Sequence, residues 1–265
     1  MEPEIMKLEL NGVTQGYGRR IVVEDISITV ESGEVVTILG PNGSGKSTLI
    51  KTMCNIMEPK AGTITIDDVL ISDIEKNEFA KIVGYIPQTA MFSGQSSVYD
   101  SVLLGRRPYV DWAYSKKDLD IAADAMIRMS VDSLYDRPVS QLSGGQVQRV
   151  ALARVLAQDP KFYIFDEPTS ALDLRNQLDT LKLMRSVIKE KGAGMIMAMH
   201  DLNLALRYSD KVMALKDGRV YDFGPAKEVI TERMIRDVYR VDSRIVDGPE
   251  GKFIYAFDEA LSVIN

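Results

Sequence analysis

The chain has 265 residues, enough for one or two domains with a sizeable core. A net charge of −6 at pH 7 disfavours a dedicated nucleic-acid binder, which needs a basic face. One cysteine, Cys54, excludes an internal disulfide, and no apolar run reaches the roughly 18 residues that a membrane-spanning helix needs. Cys54 lies among apolar neighbours and reads as a packed, inert thiol. The acidic start Met1-Glu2-Pro3-Glu4 lacks the basic and apolar regions of a signal peptide, so a reducing cytoplasm is the expected setting.

Residues 7–13 and 21–30 are rich in alternating and β-branched positions, which predicts two strands. Near them Tyr17, flanked by Gly16 and Gly18, suits stacking on a purine, with an ordinary core or surface position as the alternative. Residues 35–39 form a continuous apolar run, as expected of a strand buried on both faces of a parallel or mixed sheet. The loop Gly40-Pro41-Asn42-Gly43-Ser44-Gly45-Lys46-Ser47-Thr48 follows and fits G-x-x-x-x-G-K-[ST], with a helix predicted from Lys46 to about Asn55. Between a buried strand and a helix, its backbone amides form an anion nest. Lys46 there neutralises β and γ phosphates, and the Ser47 hydroxyl suits magnesium.

Residues 63–66 and 81–86 predict further short strands. Gln88 comes next, able to offer a carbonyl to magnesium and an amide to water, or to be a plain surface residue at a loop start. From about 89 to 159 the pattern turns mostly helical, with 118–129 amphipathic. Within it Leu142-Ser143-Gly144-Gly145-Gln146 joins two glycines that let the backbone approach an anion, a hydroxyl donor at Ser143, and a helix opened by Gln146. Taken alone, it could also be a serine-glycine turn.

Residues 162–165 predict a buried strand that ends at Asp166-Glu167, at the strand edge where ligands bind in open α/β sheets. Asp166 can hold magnesium, and Glu167 is placed to take a proton from an attacking water, unless the pair is a solvated turn. His200, the one histidine, ends the predicted strand 194–199, either as a structural residue or within reach of a γ-phosphate. Residues 212–215 and 220–223 flank an Asp-Gly turn and predict a hairpin. A second hairpin over 243–257 carries no legible chemistry. The fold read this way is an α/β core interrupted by a helical insertion.

In this order the residues resemble the ATPase subunit of an ATP-binding-cassette (ABC) transporter over nearly the whole chain. Tyr17 falls on the family's adenine-stacking aromatic, Gly40 to Thr48 on Walker A, and Gln88 on the Q-loop. Leu142 to Gln146 fall on the signature, Phe162 to Glu167 on Walker B with its catalytic glutamate, Ser170-Ala171-Leu172-Asp173 on the D-loop, and His200 on the switch histidine. The resemblance implies a P-loop NTPase core with a mixed sheet, an N-terminal antiparallel β part and a helical insertion. It also implies one ABC ATPase domain over 1–265: a catalytic core at 7–88 and 160–235, a helical signature subdomain at 89–159, and a C-terminal hairpin tail at 236–265.

The resemblance further implies ATP and Mg2+ as ligands. Lys46, Gln88, Glu167 and His200 would be catalytic, and Ser47, Gln88 and Asp166 would surround the metal. In the implied homodimer, Ser143, Gly144, Gly145, Gln146 and Asp173 act in trans on the partner's ATP. The expected location is the cytoplasmic face of the cell membrane. Transmembrane permease subunits would dock near Gln88 and the helical subdomain, with an extracytoplasmic solute-binding protein acting indirectly and no nucleic acid involved.

Residues 102–109, ending Arg106-Arg107-Pro108-Tyr109, resemble a pattern of ATPases serving iron-siderophore, haem and cobalamin importers, with Tyr109 in place of the usual histidine. The plain alternative for this stretch is a solvated helix end. The implied function is ATP hydrolysis powering import of a metal chelate or cofactor. The rivals are a non-transport ABC ATPase, such as the iron–sulfur assembly type, and the ATPase of another ABC transporter class. The absence of sustained heptads disfavours the DNA-repair type. A small-molecule kinase would have no use for the signature.

Overall fold

The computed structural model describes residues 5–88, 92, 95–169, 172–248 and 251–257. Strand β1 (Lys7–Tyr17) pairs antiparallel with β2 (Arg20–Glu31), both longer than their alternating cores. Strand β3 (Val35–Leu39) is buried throughout and leads through the glycine loop into α1 (Lys46–Met53). Strands β4 (Ala61–Ile66) and β5 (Val69–Leu70) complete an antiparallel sheet of order β2-β1-β4-β5.

Helix α2 (Lys76–Ile82) runs directly into β6 (Val83–Ile86), which corrects the strand expected over 81–86. Glu75 caps α2 by accepting from the Asn77 and Glu78 amides, and Lys81 donates to Glu78 one turn back, so local hydrogen bonds hold Lys81 in the helix.

The insertion contains α3 (Val98–Leu103), a 3-10 turn over Leu104–Tyr109, α4 (Lys116–Arg128) and α5 (Gly144–Gln158). Here Arg106 is no solvated helix end. Its side chain is 6% exposed, its Nε donates to Asp118 Oδ1 at 2.9 Å, and its Nη1 donates to Ala157 O at 2.8 Å. Its guanidinium carbon lies 4.0 Å from the centroid of the Tyr109 ring. The motif therefore ties the 3-10 turn to α4 and to the end of α5.

The core resumes with β7 (Phe162–Asp166), α6 (Leu174–Lys191), β8 (Gly194–Ala198), α7 (Leu202–Tyr208) and the hairpin β9 (Lys211–Lys216) and β10 (Arg219–Pro225). Helices α8 (Ala226–Val229) and α9 (Glu232–Tyr239) precede the last hairpin, β11 (Asp242–Gly248) and β12 (Gly251–Phe257). Residues 236–239 thus belong to a helix, and the tail hairpin begins only at Asp242.

The second sheet has the order β10-β9-β3-β8-β7-β6, parallel except for β10 at its edge. Alternation explains its continuous apolar runs. Val35, Leu39, Tyr163, Phe165, Met195 and Met197 face the core shared with the helices. Val36, Ile38, Phe162, Ile164, Ile196 and Ala198 face the core shared with β1, β2 and α1. Burial on both faces fixes the register, and parallel pairing brings the C-terminal ends of β3, β6, β7 and β8 to one edge. Cys54 is buried behind α1, and burial pushes its thiol pKa well above the ordinary value, in keeping with an inert role.

Candidate active site

The glycine loop leaves β3 at that edge. Gly43 and Gly45 adopt left-handed backbone, at φ +81° and +106°, and a Cβ on Gly45 would collide with Val23 Cγ1. A Cβ on Gly40 would come within 2.5 Å of Leu215 O. Lys46 is buried beneath the loop, where its Nζ donates to Gly40 O at 2.7 Å and to Pro41 O at 3.1 Å. Burial lowers its pKa, and the nearby Glu167 and Asp166 oppose that shift. The Ser44 Oγ is buried without a hydrogen-bond partner, a polar atom left over inside a loop shaped to surround an anion.

Asp166 ends β7 and accepts a hydrogen bond from Ser47 Oγ at 3.0 Å. Burial raises its pKa, the Ser47 bond opposes the rise, and the Glu167 charge adds to it. Among the described residues no three His, Cys, Asp or Glu side chains gather as a metal cage. A hydroxyl beside one buried carboxylate fits Mg2+ instead, an ion usually held by one or two protein oxygens plus substrate phosphates and water.

Glu167 follows at φ +54°, a left-handed conformation uncommon outside glycine. Its Oε2 accepts from Gln88 Nε2 at 2.9 Å, and its Oε1 contacts His200 Nε2. The ends of β6 and β8 thus bring two side chains, Gln88 and His200, to the carboxylate at the end of β7. Gly45, Lys46, Ser47, Gln88, Glu167 and His200 line a single open cleft of about 580 Å3, together with Asn42, Gly43 and Thr48. Val22 on β2 also lines it, and its sequence surroundings do not set it apart from other β-branched strand residues. Tyr17 stands exposed at the end of β1, outside the lining.

The Ser143 turn lies elsewhere. Ser143 caps α5: its Oγ accepts from the Gln146 amide at 3.4 Å, and Gln146 Oε1 accepts from the Ser143 amide at 2.9 Å. This capping box starts the helix at Gly144, so Gln146 is its third residue and does not open it. Ser143 and Gly144 are exposed, and a Cβ on Gly144 would meet nothing within 4 Å. The chain's own packing therefore does not require glycine there. None of Ser143, Gly144, Gly145 and Gln146 lines the cleft.

Asp173 is likewise exposed and caps α6, accepting from the Asn176 amide at 2.8 Å and from Asn176 Nδ2 at 2.7 Å. Those bonds hold its pKa below the usual carboxylate value. Ser170 and Ala171 lie outside the described residues.

The family model for ABC transporters matches residues 23–170. The chain is 44% identical over 241 residues to an uncharacterized ABC transporter ATP-binding protein of Methanocaldococcus jannaschii, covering 91% of this chain and 94% of that one. It is 39% identical over 236 residues to the iron(3+)-hydroxamate import ATP-binding protein FhuC of Bacillus subtilis, covering 88% of each. Its fold matches an ATP-binding cassette solved as a dimer in a post-hydrolysis state with ADP and phosphate, with a TM-score of 0.75 and 28% identity over 83% of this chain and 98% of that one. With the glycine loop, the Glu167 cluster and the exposed Ser143 turn in one fold, the chain belongs to the ABC transporter family, as one of its ATP-binding ATPase subunits.

Proposed function

We propose that two copies of this chain bind ATP between them and hydrolyse it to drive import of an iron-chelate-type solute through separate permease subunits. The observation that carries this reading is the meeting of Gln88, Glu167 and His200 beside Lys46 and Ser47, while the exposed Ser143 turn does not line that cleft.

In this account the loop amides and Lys46 bind the phosphates, and Tyr17 stacks on the adenine. Ser47 and Asp166, with Gln88 nearby, would hold Mg2+, which would supply charge neutralisation at the ATP phosphates. The Glu167 carboxylate accepts a proton from water as that oxygen attacks the γ-phosphorus. The bond to the bridging oxygen breaks and leaves ADP and phosphate. His200 and Gln88 fix the orientation of the carboxylate. Ser143, Gly144, Gly145 and Gln146, at the positive end of α5, and Asp173 serve the partner's nucleotide. The dimeric cassette with ADP and phosphate supports this pairing, which makes a two-fold interface with two equivalent sites.

No helix among the described residues is long and apolar enough to cross a membrane. The reading places the chain on the cytoplasmic face of the membrane, with permease subunits meeting it near Gln88 and the helical subdomain and a solute-binding protein acting beyond them. The FhuC likeness, with residues 102–109, supports a ferric chelate as cargo. The test is purification from membranes through a tag on this chain, followed by reconstitution in vesicles. Copurification of a multi-span permease and ATP-dependent movement of a ferric hydroxamate are expected. Copurification of soluble iron–sulfur scaffold proteins in its place would overturn the import reading.

A further inference from the structure

The C-terminal hairpin takes no part in the chemistry above, yet it grips the segment that carries His200. We propose that the β11–β12 hairpin is a strap that positions His200 against Glu167, with Asn203 as the positioning residue; the proposal rests on the ATPase reading of the site.

His200 sits on a short span with little slack. On one side the Met199 amide donates to Ile38 O at 3.2 Å, anchoring the span to β3. On the other, Asp201 caps α7 by accepting from the Asn203 and Leu204 amides at 2.8 and 3.0 Å. The orientation of α7 therefore fixes where His200 stands. Burial of Leu204, Ala205, Leu206 and Tyr208 seats α7 on the core, while its first two residues, next to His200, are exposed or half-buried. The Asn203 side chain adds a polar constraint in that first turn: its Nδ2 donates to Ile254 O at 3.3 Å, and its Oδ1 accepts from the Ile254 amide at 2.7 Å. One carboxamide thus satisfies both backbone groups of a single residue, as a neighbouring strand would at the open edge of β12.

The opposite edge is held in the same way. Ile254 pairs across the hairpin with Ile245, whose amide donates to Glu232 Oε1 on α9 at 3.0 Å. Arg236 on α9 adds an ion pair to Asp242 at 2.6 Å. Met234, Ile235 and Val238 root α9 in the core. A chain of contacts therefore runs from the core through α9, Ile245, Ile254, Asn203 and Asp201 to His200 and Glu167. Ile254 is itself buried, so its backbone groups lose more by losing Asn203 than exposed groups would.

The test compares Asn203→Ala, Asn203→Asp, His200→Ala and the Asn203→Ala/His200→Ala double variant in the full chain. Displacing His200 in Asn203→Ala should lower kcat about tenfold and leave KM for ATP unchanged, since the phosphate loop hangs from β3 and α1 rather than α7. Asn203→Asp, which keeps the Oδ1 acceptor, should fall between the two. In the His200→Ala background, Asn203→Ala should cost nothing further, because the group it positions is gone. A wild-type kcat for Asn203→Ala, or the same loss repeated without His200, overturns the strap alone. A full rate for His200→Ala overturns the site reading, and the strap with it.

Discussion

Replacing Glu167 with glutamine tests the chemistry with the least disturbance to the fold. The side chain keeps its length and one oxygen, so it can still accept from Gln88 or His200, and the left-handed backbone at φ +54° asks no more of glutamine than of glutamate. What disappears is the proton acceptor. A positioned general base contributes about 10² to 10⁴ in rate, or about 2.7 to 5.5 kcal/mol of barrier. ATP binding should survive, because the glycine loop, Lys46 and Ser47 are untouched. The removed charge also lets the Asp166 pKa fall back toward the ordinary value and leaves burial less opposed at Lys46. Phosphate release at saturating ATP should therefore drop by that factor, while nucleotide affinity is kept and size-exclusion chromatography shows an ATP-dependent dimer accumulating. Hydrolysis at the wild-type rate would refute the assignment of Glu167.

Three other substitutions bear on the account. Asp118→Ala strands the buried Arg106 with only Ala157 O and the Tyr109 ring, and it removes the capping box of α4. Breaking such a pair costs about 3 to 5 kcal/mol, the lower end being expected here, and an unchanged urea midpoint would count against the buried role of the motif. Asp166→Asn should stabilise the nucleotide-free protein at pH 7 to 8 while abolishing hydrolysis. Burial raises the folded pKa of Asp166, so its favourable contribution is present at low pH and lost as pH rises through that raised value. The advantage of the variant in thermal melts should therefore vanish below about pH 4, where the wild-type carboxyl is protonated in both states. Gly45→Ala forces a Cβ against Val23 Cγ1 at φ +106°, and should weaken ATP binding, measured by calorimetry, by at least about tenfold.

The glycine loop was legible because its conformation is dictated locally: positive φ and crowded Cβ positions demand glycine whatever the rest of the fold. The central strands are legible because burial on both faces leaves no charged residue in 35–39, 162–165 and 194–198, and the one hydroxyl of the first run, Thr37, is paired with Ser209. Lys81 and Ile82 read as strand because two apolar-flanked residues carry no period, and the Glu75 cap that makes them helical lies six residues earlier in the chain. In the sequence Gln146 reads as the start of its helix because the reciprocal bond to Ser143, which moves the start to Gly144, is a matter of side-chain geometry. The convergence of Gln88, Glu167 and His200 depends on the strand order β8-β7-β6, which spacing along the chain does not encode. Arg106 was hidden for a related reason: its partners Asp118 and Ala157 sit on different helices.

The central claim, that the Ser143 turn completes a site on another molecule, is tested most directly by mixing two inactive proteins. Lys46→Ala removes the phosphate-binding cation and Ser143→Arg blocks the signature. In a head-to-tail pair of the two, one site combines both defects and the other combines neither. Each variant alone should be inactive, whereas an equal mixture should regain roughly a quarter of the wild-type ATPase rate, half of the dimers being mixed and one of two sites in each being whole. Full hydrolysis by Ser143→Arg alone, or a mixture no faster than its components, would contradict the account.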